Sequence, residues 1–156
     1  VKDEKKRLAV ERIYSQINEL NKRLLNHYTN VLNKVNDVLV RVTDRINSAE
    51  ERGIDVSAAR SAVEEANRVI SAARTAIETQ AGKTYIIQVT TEQTLKANVG
   101  KARQALHGDL TVVRLAVKAA HEAVRNASVT LAQLPRPTPT PEATERQTPA
   151  PTIRNQ

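Results

Sequence analysis

The chain has 156 residues, 24 Lys and Arg against 17 Asp and Glu, three Tyr, and no Cys, Met, Trp or Phe. Without thiols it holds neither a disulfide framework nor a thiolate zinc site. A core limited to Leu, Ile, Val and Ala suits helices packed along their length, and suits an aromatic-lined ligand pocket poorly. No apolar run reaches the roughly 18 residues of a membrane span, so no transmembrane segment is expected. A chain that begins at Val1 and lacks Met reads as a mature form after loss of a leader, secreted or held at the cell surface. The cation excess is greatest in residues 82–134, with seven Lys and Arg against three Asp and Glu.

The first element is a helix over about 2–52. Ile13, Leu24, Val35 and Ile46 recur every eleven residues, as do Leu20, Val31 and Val42, and Ile17, Tyr28 and Leu39. Eleven residues in three turns is a period of about 3.67, so a nearly straight rod with a continuous apolar stripe is predicted. Asp3–Arg7, Glu19–Arg23 and Asp37–Arg41 place an acid four residues before a base and add a few tenths of a kcal/mol each, about 0.2–0.5. Gly53 stops the helix as a left-handed cap, and Asp55 or Ser57 begins the next.

The second helix covers about 57–81. Ala59, Ala66 and Ala73 repeat by sevens, as do Ala62, Val69 and Ala76, and Val63, Ile70 and Ile77. Small residues in a heptad seam allow close axes and a left-handed wrap. Gly82 ends it. The connector 82–90 is rich in β-branched residues, alternates Tyr85 and Ile87 against Ile86 and Gln88, and reads as extended. Thr90 with Gln93 forms a capping box for a third helix over about 91–134. Leu106, Val113, Ala120, Ala127 and Leu134 recur there by sevens, as do Leu110, Val117, Val124 and Leu131.

Lengths fix the topology. At 1.5 Å per residue the three helices span about 75, 38 and 66 Å, so the second returns only halfway down the first. Nine extended residues add roughly 28 Å and finish the descent as a strap, with Tyr85, Ile86, Ile87 and Val89 as anchors. The fold class is all-α: an elongated three-helix bundle over residues 1–134, thinner at one end. Residues 135–156 hold all six prolines, interleaved with Thr, and read as a polyproline or disordered tail.

Tyr28-x-x-Val31-Leu32, Val38-x-x-Arg41-Val42-x-x-Arg45-Ile46 and Gly53-Ile54-Asp55-Val56-Ser57-Ala58-Ala59 precede an Ala-rich helix. With Val113-Arg114, Ala116-Val117, Ala119-Ala120-His121 and Val124-Arg125, they resemble uncharacterised small secreted α-helical proteins of candidate-phylum bacteria. The resemblance covers about residues 24–134. It implies a secreted helical fold and no activity.

Candidate sites are sparse. Lys96, Arg103, His107, Arg114, Lys118, His121 and Arg125 form one stripe on the third helix by steps of seven, four and three. The stripe offers an anionic partner a track, or it is a flank facing Glu64, Glu65 and Glu78 or a neighbouring subunit. No aromatic residues interleave to stack bases, which disfavours nucleic acid. Asn26, Asn30 and Asn33 share a face of the first helix, as solvated residues or as side chains bonding a neighbouring subunit. Ile153 is the one large apolar residue of the tail and an anchor for it on a neighbour. His107 and His121 lie about 21 Å apart and His27 is on another helix, so no metal or other cofactor is expected. No phosphate loop, catalytic triad order or zinc spacing is present, and enzyme activity is not expected.

The leading expectation is therefore a non-enzymatic structural protein, a secreted helical subunit that self-associates as a homo-oligomer into a surface filament or layer. Two rivals stand beside it. One is a periplasmic or surface stalk that does not polymerise. The other is a binding module for an anionic cell-surface polymer through the third-helix stripe.

Overall fold

In the computed structural model, residues 2–88 and 91–135 are described. They form α1 (Lys2–Glu51), α2 (Ser57–Ala81) and α3 (Glu92–Ala132), with each helix packed on the other two. The bundle is all-α, and no strand occurs among the described residues. The tail after Pro135, with its threonines and Ile153, lies outside the described residues, as does Val89 of the strap.

Gly53 reverses the chain as its position predicts. Its φ is +79°, its amide donates to the Glu50 carbonyl at 2.9 Å, and the Ile54 amide donates to the Ala49 carbonyl at 3.1 Å. This is a Schellman cap, and Ile54 packs back on the core. Asp55 then accepts from the Ser57 amide and hydroxyl at 3.0 and 2.6 Å, which holds its carboxyl below the usual carboxylate range. Val56 is the residue at the α2 cap position, and its own side chain makes no capping bond.

The core seam of α1 corrects the eleven-residue reading. From Leu32 the buried residues are Leu32, Val35, Leu39, Val42, Ile46 and Ala49, in steps of three and four. That is a heptad seam. The four-four-three spacing of an eleven-residue repeat occurs once, from Ile17 through Asn21 and Leu25 to Tyr28. Leu20, Leu24 and Val31 are only half-buried, because they stand one position before the seam on its flank, and Ile13 is half-buried towards the start of the helix. The Ala seam of α2 is closed, with Ala59, Ala66 and Ala73 fully buried. Leu106, Leu110, Val113, Val117, Ala120, Val124 and Ala127 form the matching seam of α3.

Two boundaries move. The α3 capping box is Thr91 with Thr94, one residue later than Thr90 with Gln93: the Thr91 hydroxyl accepts from the Thr94 amide at 3.3 Å, and the Thr94 hydroxyl accepts from the Thr91 amide at 2.9 Å. Threonine at the third helical position substitutes for the longer Gln because its hydroxyl already reaches back. The helix ends at Ala132, since Pro135 forbids its continuation.

Gly100 and Gly108 sit inside α3, and a Cβ at either meets nothing within 4 Å. Gly108→Ala and Gly100→Ala are each expected to stabilise the bundle by about 0.5–1 kcal/mol, by removing the excess freedom of the unfolded chain. The check is an upward shift of the urea midpoint at unchanged slope. A fall in midpoint would mean that the glycines are required for a close approach.

Candidate functional site

Two features organise polar chemistry along the rod. The first is a buried hydrogen-bond chain where α2 ends. Asn21 and Gln80 are 5% and 2% exposed. The Asn21 amide donates to the Gln80 carbonyl at 3.3 Å, beside the Lys83 amide that already donates to it at 3.1 Å. The Gln80 side-chain amide donates to Asn21 Oδ1 at 3.0 Å and to the Tyr85 hydroxyl at 2.6 Å. The Tyr85 hydroxyl donates to Asp109 Oδ2 at 2.7 Å, and Lys83 Nζ lies 3.3 Å from Asp109 Oδ1. One chain of bonds thus ties α1, α2, the strap and α3 at a single level. No described buried side-chain nitrogen or oxygen is left without a partner.

Burial and the Asp109 carboxylate push the Tyr85 phenol up to about 12, while the bond from Gln80 pulls the other way. In the unfolded chain the phenol titrates near 10, and the folded value is the higher one. Its contribution is therefore complete below about pH 10 and is lost as pH rises through about 12. Unfolding free energy is expected to fall by about 2–3 kcal/mol across that interval. Tyr85→Phe should remove this component of the slope in urea melts at pH 9 and 11.5. An unchanged slope would place the titration elsewhere.

The strap below this level is partly as expected. Tyr85 and Ile87 are buried, and Asn98 of α3 donates to the Gln88 carbonyl at 2.9 Å. Ile86 is not an anchor: it is 75% exposed. An extended chain alternates its side chains, so burying Tyr85 and Ile87 turns Ile86 to water.

The second feature is the α1/α3 face. An open groove near the Gly53 turn is lined by Val38, Arg41, Arg45, Ser48 and Arg52 of α1 and by Ser128, Leu131 and Ala132 of α3. A second groove, of about 420 Å³, lies between Ile13, Gln16, Ile17, Leu20 and Leu24 of α1 and Arg103, Leu106, His107 and Leu110 of α3. Helical steps of three and four join the two grooves along one face. On α1 the connecting positions are His27, Val31 and Lys34; on α3 they are Arg114, Lys118, His121 and Arg125.

The charge on this face is one-sided. Its α1 row contains Lys34, Arg41, Arg45 and Arg52, and its α3 row contains Arg103, Arg114, Lys118 and Arg125, with Lys96 one heptad ahead. All three histidines of the chain stand in these rows, and neither row contains a carboxylate. Among the described residues, Lys118 alone of these cations meets an acid, at 3.9 Å from Glu122 on its own exposed surface. Such a pair contributes roughly 0.2–1 kcal/mol and leaves the field in place.

The stripe thus borders α1, not the flank occupied by Glu64, Glu65 and Glu78 of α2. Asp109, on the opposite side of the α3 seam, is the residue that meets the α2 end and strap. Asparagines one position after the α1 seam face α2. Arg74 donates to Asn33 Oδ1 at 3.2 Å from both terminal nitrogens, while Arg60 donates to Asn47 Oδ1 at 3.1 Å and pairs with Glu50. Asn33 is therefore engaged within its own chain. Asn26 and Asn30 are exposed.

Sequence reasoning found the α3 half of the cationic face and missed the α1 half. It also missed Asn21, Gln80 and Asp109. No described helix is long and apolar enough to cross a membrane. No family model, curated protein or solved structure matches the chain.

Proposed function

We propose that this protein is a non-enzymatic helical rod that works by binding an anionic partner along its α1/α3 face. The observation that carries the reading is the pair of acid-free cation rows along the two edges of the α1/α3 face, with Arg41, Arg45 and Arg52 lining the groove near the Gly53 turn and Arg103 the other. A solvated flank normally mixes signs, as α1 does elsewhere with Arg7 and Glu11. Eight cations along one face, in rows without a carboxylate, raise the local potential and draw in a negative partner. A place outside the cell, and kinship with secreted helical proteins, belong to the same proposal.

The test uses labelled polyphosphate as a simple polyanion. Binding should weaken steeply between 50 and 200 mM salt, as release of counterions requires. Arg114→Glu, Lys118→Glu and Arg125→Glu together should reduce affinity at least tenfold, whereas Arg68→Glu with Lys101→Glu, outside both rows, should change it far less. Equal losses in the two variants would defeat the assignment to this face.

A second reading, self-association into a filament or layer, draws support from a different surface. Val112, Leu115 and Val129 stand on one outer row of α3 at 63%, 54% and 47% exposure. Apolar residues in such a row favour contact with another surface. Light scattering at micromolar concentration decides this reading, and a stable particle near 17 kDa overturns it.

A further inference from the structure

The α1/α3 face is more than a track of charge, because its floor is apolar. Ile13, Leu20, Leu24 and Val31 are half-buried and Val38 is 38% exposed, in one line between the two cation rows. Leu106 and Leu110 close the floor from α3. The line from Ile13 to Val38 is about 37 Å long at 1.5 Å per residue. A hydrophilic polyanion satisfies the rims and leaves this floor in water.

We infer that the occupant of the groove is an acidic amphipathic helix of another protein, laid along α1 and α3 as the fourth member of the bundle. Two packed helices leave a trough into which the side chains of a third insert as knobs into holes. About 25 residues of helix match the floor. Apolar residues at every third and fourth position of the partner meet Leu20, Leu24 and Val38. Acids on its two flanks meet Arg41 and Arg45 on one rim and Arg114 and Lys118 on the other. This is the helix-in-groove mode of recognition, with specificity set by flank charge.

Charge also argues against a second copy of this chain as the occupant. The exposed apolar row of α3, Val112 and Leu115, runs beside Arg114 and Lys118, and seating it in the groove would oppose cations to cations. The outer surface of α2, with Ser61, Glu64, Arg68 and Ser71 exposed, has no apolar ridge to insert.

This inference rests on the proposed anionic-partner function, and its test separates the two. A 25-residue helical peptide with Leu at the core positions and Glu on both flanks is compared with the same peptide carrying Gln for Leu. Both carry equal charge, and binding is read by fluorescence anisotropy at 150 mM salt. The Leu peptide is expected to bind at least tenfold more tightly, and Val38→Gln with Leu20→Gln in the rod should erase most of that preference. Val38→Gln alone, at a position already part-exposed, keeps the fold and should still reduce it. Circular dichroism verifies that both variants retain their helices.

Equal binding of the two peptides would overturn the helix and leave the cationic face standing. Tighter binding of phosphatidylglycerol vesicles than of the Leu peptide would overturn it in favour of a membrane surface. Failure of the peptides and of polyphosphate together would remove both proposals.

Discussion

Replacing Leu32 with Ala is expected to lower the unfolding free energy by about 3–5 kcal/mol. Leu32 is 0% exposed, in a seam where the neighbouring Val35, Leu39 and Leu25 are also closed. Truncation removes the transfer energy of the lost methyl groups and leaves a void that three packed helices fill only in part. Val40→Ala on the same helix provides the comparison. Val40 is 51% exposed, and its loss should change stability by no more than about 0.5 kcal/mol. Chemical denaturation of both variants gives the answer. Similar losses would show that the seam is placed on the wrong face of α1, because the two positions differ in burial far more than in chemistry.

Gln80→Leu carries the second largest expectation, a loss of about 2–3 kcal/mol. The substitution preserves side-chain bulk and removes both donors of the Gln80 amide. Asn21 Oδ1, inside a residue only 5% exposed, then has no donor, and an unmet buried acceptor costs about 1–3 kcal/mol. The bond to the Tyr85 hydroxyl is lost as well. The companion variant, Asn21→Leu with Gln80→Leu, replaces both polar partners by apolar ones. It should recover much of the loss, since a pair removed together leaves fewer orphans. A coupling energy of at least about 1 kcal/mol in the double-mutant cycle is expected for groups in direct contact. Additive losses would mean that Asn21 and Gln80 stabilise the bundle independently, and the chain of bonds would then be no lock.

The recovery need not restore order at that level of the rod. Asn21 stands where the heptad of α1 takes its two successive steps of four, from Ile17 to Leu25. A polar pair at such a position specifies which turn of α1 meets the end of α2, as a buried amide does in a coiled coil. Hydrogen exchange in the doubly apolar variant therefore reports on register. Lower protection of strap amides near Tyr85, at recovered global stability, is the expected sign.

The local signals of the sequence were enough for much of the architecture. Gly53 followed by Ile54 and an acid two residues before the helix start determines a cap and a reversal, because only neighbouring residues take part. The lengths of the apolar patterns leave α2 too short to return alone, and the alternation of Tyr85, Ile86 and Ile87 reads as an extended strap. That alternation also held the error about Ile86, since an extended chain with one covered face cannot bury successive residues. The eleven-residue pattern of α1 misled for a similar reason: seven plus four is eleven, so a heptad seam with a half-buried flank imitates a longer repeat.

Other features were decided only by the tertiary structure. Asn21 and Gln80 are 59 residues apart, and each alone is an ordinary polar side chain on a helix. Only the halting of α2 at the level of Asn21 makes them a buried pair, and only the strap brings Tyr85 between Gln80 and Asp109. The α1 half of the cationic face was hidden in the same way. Arg41 and Arg45 precede the seam, Asn33 and Asn47 follow it, and the sequence marks both rows as flanks without saying which neighbour each meets. The hand of the bundle settles that by placing α3 beside the arginines and α2 beside the asparagines. Handedness comes from how three helices pack together, so no single helix's pattern can carry it.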